Sequence, residues 1–427
     1  MFFYAGTLII SLTTFRPVAP FFNGSDTFYL VAVVLLVIRM LHQGQSLVQV
    51  FVHNNPFFKP LLVFLFGATL SLINSSDLSA AATVIGKYIF LFGIWIPTGI
   101  HLLDTPRKIK WMLVVLVGAA LVPLIPAISD YYFQTGMTAT IDRLLSLNLE
   151  YTTPHAGRFG SIMGHPNNFG FMLVVAFPIS LWLIYFGKTL RVKFFGILFV
   201  GLIVLGGLAT ASRATAIAIA VESVIFMVFV PRCGIKRKSV SFFVLFAIMG
   251  SVLFVAIKTK PIIVADRFME MAAQELGEYE PDSGRIDLMV EAWQAFRTHP
   301  ISGMGAEITA TSLDIIGVHN TILRLGAGIG ILGLIFISWF YLLSFHAAFR
   351  NLSWGERTDN LSYMSISFFI LVGLIGWFLV DMVQPQFYDR FKFINLILLF
   401  ALPGAISAET SETFTSNLAP GQIADAK

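Results

Sequence analysis

The sequence predicts an all-α, polytopic membrane protein of about twelve transmembrane helices with a partly helical extracytoplasmic loop. The first observation is composition: the 427 residues are 56% hydrophobic and only 12% charged, with mean hydropathy +0.80. Soluble domains contain about 25% charged residues. The second is a succession of apolar runs near the length of about 20 residues that a span requires. The third is the clustering of basic residues in alternate connections between these runs.

The spans are predicted from these apolar runs in chain order. The first run has no basic residues before it and no small-residue cleavage signal after it, so we interpret it as an uncleaved span. The predicted spans are 1–15, 27–41, 60–74, 80–101, 111–129, 167–187, 194–211, 214–230, 240–257, 319–345, 362–383 and 392–406.

The basic connections orient this arrangement. Four of them lie on one side of a twelve-span chain, namely 105–110, 187–193, 231–238 and 349–357. Positive residues favour the cytoplasm, so this side and both termini are predicted to be cytoplasmic. The chain then divides into spans 1–9 (1–257), a large periplasmic loop (258–318), spans 10–12 (319–406) and a polar, disordered cytoplasmic tail (407–427).

The large loop contains one amphipathic helix, in the stretch 284–300. Its apolar residues recur at helical spacing, and Pro300 ends it. They are Ile286, Met289, Ala292, Trp293 and Phe296.

The stretch GRFGSIMGHPNNFG (157–170) precedes the sixth span. Pro166 suits the first turn of a helix with His165 near the cap, and Asn167 and Asn168 then lie beside free backbone N–H groups. Such a helix end attracts anions, and Arg158 lies just upstream. A capped helix beside a snorkelling arginine explains the same residues.

Arg213 lies in a turn of a few residues between the seventh and eighth spans, within LATASRATAIAIA. Ionisable residues at such positions usually face the protein interior or a wet cavity, although this side chain could also reach the lipid headgroups.

Further polar residues flank the large loop on the same side. Arg285 begins the loop helix and could pair with a nearby carboxylate. His319, Asn320 and Arg324 enter the tenth span in GVHNTILRLGAGIGILG, where Asn320 and Arg324 share a helix face. His319 could be structural. Fixed cations beside an imidazole also suit a phosphate-bearing donor and a hydroxyl to be deprotonated.

Other classes of site are disfavoured. The acidic EYEPD (278–282) is better explained as a solvated loop than as a metal site, and no His/Cys spacing suits zinc. There is no phosphate-cradling glycine loop and no Gly-x-Ser-x-Gly elbow. Neither a metal nor a cofactor is expected. The single cysteine, Cys233, excludes an internal disulfide framework, and a net charge of +4 is too small to indicate nucleic-acid binding.

Four motifs in order resemble the O-antigen ligase and polymerase superfamily of membrane glycosyltransferases. They are GRFGSIMGHPNNFG, ASRAT, GRIDLMVEAWQAFRTHPISGMG and HNTILRLGAGIGILG, and they cover about 157–335. The twelve-span layout with a large outer loop before the tenth span agrees with this resemblance.

The resemblance implies an inverting, metal-independent glycosyltransferase of the membrane C type in the bacterial inner membrane, with its site facing the periplasm. The donor would be a glycan on undecaprenyl pyrophosphate, and the acceptor would be lipid A–core or another glycan. Arg158, Arg213 and Arg285 match the family's pyrophosphate-binding arginines. His319 matches the histidine that ends its large loop, and would act as general base or orient the acceptor.

Ligase and polymerase share these motifs, and we favour the ligase. A lipid-linked oligosaccharide flippase or transporter is a rival, but no repeated halves are visible. A protein acceptor also remains open.

Overall fold

The computed structural model describes residues 1–9, 24–145, 159–210, 212–229, 283–309, 320–383 and 390–417. All regular elements within these ranges are helical, in agreement with the predicted all-α class. Eight helices in these ranges are long and apolar enough to cross a membrane. Together with the composition, they make this a polytopic membrane protein.

The helices are numbered in chain order. They are α1 (Phe2–Leu8), α2 (Gly24–His42), α3 (Phe58–Ser71), α4 (Leu78–Tyr88), α5 (Ile96–Leu102), α6 (Pro106–Phe133), α7 (Met137–Leu145), α8 (Pro166–Phe186), α9 (Leu190–Thr210), α10 (Arg213–Phe229), α11 (Ser283–Thr298), α12 (Thr321–Ile329), α13 (Ile331–Arg357), α14 (Leu361–Asp381) and α15 (Arg390–Asn417). A π-helical stretch, Ile89–Trp95, joins α4 to α5, so that Leu78–Leu102 forms one span.

Many predicted spans have a helical counterpart within a few residues. Helices α2, α6, α8, α9 and α14 each match one predicted span, and α4 with α5 match another. Local signals set several boundaries: Thr105 caps α6 ahead of Pro106, and the side chains of Asp77 and Asn360 cap α4 and α14. The predicted span 240–257 lies outside the described residues.

The predicted tenth span, 319–345, is wrong in its boundaries. The chain breaks at Gly330, whose φ of 74° and ψ of −153° are disfavoured for side-chain-bearing residues. The membrane-length helix is α13, Ile331–Arg357, and the short helix α12 precedes it. The apolar run continues across the break, which is why the sequence predicted a single span here.

The last helix also differs from expectation. Helix α15 continues to Asn417, into the segment for which the sequence predicts a disordered tail from 407. Residues 418–427 lie outside the described residues.

Helices α8 and α14 form the centre of the bundle. Nearly all of the first four turns of α8 are buried, and α8 packs against α9 and α14. Glu222 of α10 is fully buried against Gly376 of α14, where a β-carbon would overlap its Oε1. Among the described residues, neither carboxyl oxygen of Glu222 has a hydrogen-bond partner. Glycine at the contact lets the helices approach closely enough to enclose this side chain.

Contacts between connections define one end of the bundle, called here the site end. The α3–α4 turn contacts residues 302–307, Phe159 contacts the end of α9, and Asn320 contacts the end of α14. The predicted outer connections therefore lie together. The opposite end includes the Lys108–Asp104 ion pair at the start of α6.

Candidate functional site

A tight turn leads into α8 at the site end. Ser161 adopts a left-handed conformation (φ 53°), and its hydroxyl donates to the Pro123 carbonyl of α6 at 2.6 Å. A β-carbon on Gly160 would lie 2.7 Å from the backbone of His165. The glycine in this motif is therefore needed to fold the chain back against the start of α8.

His165 is the N-cap of α8, as predicted. Its Nδ1 accepts a hydrogen bond from the backbone N–H of Asn167 at 3.1 Å, so the proton of a neutral ring is on Nε2. Pro166 is the first helical residue. Asn167 is buried, with 8% of its surface exposed, and Asn168 is half-buried. The bonding at His165 supports the structural interpretation of this histidine.

Arg213 is the first residue of α10 and is exposed. Only residues 211 and 212 separate it from α9. Ser212 organises the turn, since its N–H donates to Thr210 Oγ1 at 3.1 Å and its hydroxyl accepts from Thr215 N–H at 3.4 Å. The short turn predicted around this arginine is confirmed.

The starts of α8 and α10 lie side by side with the end of α9. The N–H of Phe159, the residue after Arg158, donates to the Ala209 carbonyl at 3.0 Å. Gly170 of α8 faces Thr215 of α10 so closely that a β-carbon on the glycine would overlap Thr215 Oγ1. Backbone contacts thus bring the segment beginning at Phe159 to the turn that carries Arg213.

The predicted amphipathic helix of the large loop is α11. Its buried face, which includes Ala292 and Ala295, packs with Ala327 of α12. Trp293, predicted on the apolar face, is instead 50% exposed. Small residues at the contact let α11 and α12 approach closely, and this leaves the tryptophan outside. Arg285 lies in the first turn of α11.

Residues 300–305, called here the strap, hold α12 to α13. The Met304 N–H donates to the Ala327 carbonyl at 2.8 Å, and the Ile331 N–H donates to the Pro300 carbonyl at 2.7 Å. Gly303 has a φ of 65° that favours glycine. A β-carbon on it would overlap the Gly328 carbonyl oxygen. The strap therefore depends on the glycines of HPISGMG.

Asn320 and Arg324 contact different neighbours, although they are one helical turn apart. Asn320 is the N-cap of α12: its Oδ1 accepts from the Leu323 N–H, and its Nδ2 donates to the Met382 carbonyl, both at 2.9 Å. Arg324 is buried, and its Nε donates to the Ile308 carbonyl at 2.8 Å. Both residues therefore have structural contacts at the start of α12, and their binding of substrate remains a prediction.

Arg158, His319 and the EYEPD segment lie outside the described residues. Arg285 is placed by its helix backbone alone. Among the described residues, contacts join the segment from Phe159 to the end of α9, just before Arg213, and join α11 to α12, which carries Arg324.

A buried ion pair near Asn320 was missed by the sequence analysis. Lys392 Nζ of α15 lies 3.1 Å from Asp381 Oδ1 of α14, and the Tyr341 hydroxyl donates to Asp381 Oδ2 at 2.6 Å. Both charged side chains are fully buried, and the ammonium lies 5.2 Å from the centre of the Phe171 ring. The sequence has an acidic residue in one apolar span and a basic residue in the next, and this signal could have predicted the pair.

A second ion pair lies nearby at the start of α15. Arg390 pairs with the buried Asp26 of α2. At the site end, α15 is thus joined by ion pairs to both α2 and α14.

The comparisons with known proteins address the central part of the chain. No curated protein matches the sequence. A family model described as O-antigen ligase matches residues 198–338, from within α9 to the first turns of α13. The match includes Arg213, Arg285, His319, Asn320 and Arg324, whereas Arg158 and His165 precede it. The resemblance drawn from the motifs is confirmed over this range, since residues 198–338 match the O-antigen ligase family model.

Proposed function

We propose that this protein transfers a glycan from an undecaprenyl-pyrophosphate-linked donor to a sugar hydroxyl of lipid A–core at the periplasmic face of the inner membrane. The reaction inverts the anomeric carbon and uses no metal. A membrane bundle with an O-antigen ligase domain supports an enzyme of the glycosyltransferase type. The periplasmic orientation, the donor and the acceptor are parts of this proposal.

One observation carries the proposal: Arg213 begins α10 after a two-residue turn, beside the backbone of the segment that follows Arg158. An arginine at a helix start combines a planar, two-pronged donor with the favourable end of the helix dipole. This combination suits a pyrophosphate at the membrane surface.

In the proposed mechanism the acceptor hydroxyl attacks the anomeric carbon of the donor. The bond from that carbon to the pyrophosphate oxygen breaks, and undecaprenyl pyrophosphate leaves with the bonding electrons. Arg158, Arg213 and Arg285 stabilise the charge that develops on the leaving group. His319 accepts the hydroxyl proton, and Asn320 and Arg324 help to bind substrate from the start of α12.

Arg213→Lys tests the proposal. Lysine keeps the positive charge but loses the fork geometry, so we expect transfer from purified lipid-linked donor to fall sharply, by about 10²-fold. Arg191→Lys, near the start of α9 at the opposite end of the bundle, is the matched control and should retain activity. Near-normal transfer by folded Arg213→Lys would leave this arginine as a headgroup contact and contradict its proposed role.

The polymerase of the same superfamily is the alternative. It would transfer to a second lipid-linked glycan, so supplying each acceptor separately to the purified protein distinguishes the two reactions.

A further inference from the structure

Glu307 is a buried carboxylate that no sequence motif singled out. It lies in the short 3₁₀-helix Ala306–Thr309 after the strap, and only 1% of its surface is exposed. Its carboxylate accepts hydrogen bonds from the backbone N–H of Ser76 at 2.7 Å and from the hydroxyl of Ser75 at 2.8 Å. The Ser76 hydroxyl donates a third at 3.2 Å. The side chain therefore reaches from the end of the large loop to the α3–α4 turn.

A second contact joins the same two segments. Asn74 Nδ2 donates to Ser302 Oγ at 2.8 Å and to the Gly303 carbonyl at 2.7 Å. Gly305 makes room for the carboxylate, since a β-carbon there would lie 2.5 Å from Glu307 Oε2. We call the contacts of Asn74, Ser75 and Ser76 with Ser302, Gly303 and Glu307 the clamp.

The clamp matches the electrostatics of the helix that it meets. The turn leads directly into α4, and a helix N-terminus favours a negative charge because its first N–H groups lack intrahelical partners. Bonds to an ionised acceptor are also stronger than bonds between neutral groups. A glutamate here can therefore hold the loop end to the bundle more firmly than a neutral side chain.

The clamp continues into the candidate site through the next residue. The carbonyl of Ile308 accepts the bond from Arg324 Nε, and Arg324 lies one turn after Asn320, the N-cap of α12. Asn320 is in turn bonded to the Met382 carbonyl. The start of α12 is therefore fixed on one side by α14 and on the other by the segment that Glu307 anchors.

We propose that Glu307 is a positioning residue for the transfer reaction. It fixes the start of α12, which carries Asn320 and Arg324, against the α3–α4 turn. The inference rests on the proposed function. It adds the α3–α4 turn to the parts of the chain on which the site depends.

The test compares Glu307→Ala and Glu307→Gln with Asp77→Ala. Asp77 is a matched control because its side chain caps the same helix, its Oδ1 accepting from the Ala80 N–H at 2.9 Å. Only its backbone N–H donates to Glu307, at 3.5 Å, and alanine keeps that N–H. Both alanine variants should lower thermal stability. Only the Glu307 variants should lower the rate of single-turnover transfer at saturating donor. We expect a loss of about 10²-fold for alanine, because misplacing a substrate-binding group by about 1 Å has that effect, and a smaller loss for glutamine. Equal loss in Asp77→Ala, or normal turnover in Glu307→Ala, would overturn the proposal.

A crosslink separates positioning from folding. In a Glu307→Ala, Cys233→Ser background, Asn74→Cys and Ser302→Cys can be joined by a short thiol crosslinker. We expect the crosslink to restore most of the lost turnover, and complete crosslinking without recovery would contradict the clamp.

A readout without activity distinguishes failure of the clamp from failure of the proposed function. Amide hydrogen exchange in α12 should rise in Glu307→Ala and remain unchanged in Asp77→Ala. If the parent protein transfers no glycan, the proposed function fails while this comparison still tests the clamp. Unchanged exchange in Glu307→Ala would overturn it.

Discussion

At the scale of single residues, His165 shows how a polar side chain in a motif predicted to form part of the site can be structural. Its ring caps α8 because Nδ1 accepts a hydrogen bond from the Asn167 N–H. We expect His165→Ala to lower stability by about 1 kcal/mol, the usual effect of losing an N-cap. His165→Asn should retain most of that stability, since asparagine is a preferred cap. Thermal unfolding of the parent protein and the two variants in one detergent checks this. An alanine variant as stable as the parent would exclude a capping role.

The buried pair of Asp381 and Lys392 makes a contrasting case, in which charge is enclosed within the membrane bundle. Removing one partner leaves an uncompensated charge, which costs about 3–5 kcal/mol, whereas replacing both can be nearly neutral. We expect Lys392→Met to destabilise the protein strongly and Asp381→Asn/Lys392→Met to recover most of the loss. Unfolding temperatures of the single and double variants measure the coupling. Additive losses would show that the ion pair does not couple the two helices.

At the scale of helices, the sequence predicted which membrane helices are present better than it predicted where they begin and end. Apolar runs located α6 and α8, whereas the N-caps Thr105 and Asp77, which set where α6 and α4 begin, were not identified from the sequence. The sequence could not reveal the break at Gly330, because glycine occurs both within continuous membrane helices and where helices are interrupted. The clamp was equally invisible, since its partners are about 230 residues apart and only the folded chain brings them together.

The break at Gly330 gives a prediction with an internal control. Alanine at this position would be strained at φ 74°, and its β-carbon would lie 2.5 Å from the Ile301 carbonyl oxygen. We expect Gly330→Ala to cost about 1–3 kcal/mol. Gly404 lies within α15, where a β-carbon would meet no described atom within 4 Å, so Gly404→Ala should stabilise by about 0.5–1 kcal/mol. Thermal unfolding of both variants provides the comparison. If the two variants had the same thermal stability, the helix would be continuous at Gly330.

At the scale of the whole molecule, the alternation of basic connections predicts which connections lie outside the cell membrane. Residues 258–318 should be periplasmic, and 231–239 should be cytoplasmic. A cysteine at position 275, in a Cys233→Ser background, should react with an impermeant thiol reagent in spheroplasts. A cysteine at position 236 should react only after lysis. The predicted topology would be contradicted if position 236 were labelled before lysis, or if position 275 were not labelled in spheroplasts.

The clamp has a consequence for the order in which the protein is made. Glu307 is synthesised about 230 residues after the serines that it binds, an interval of roughly 10–50 s at typical translation rates. During that interval α4 is already synthesised, but the donors of Ser75 and Ser76 in the turn before it lack their carboxylate. The early spans therefore wait in the bilayer with this end incomplete, and a chain that stops before Glu307 never acquires it. Quality control that recognises unfinished membrane proteins has a defined place to act, the unpaired turn between α3 and α4, until the end of the large loop has emerged.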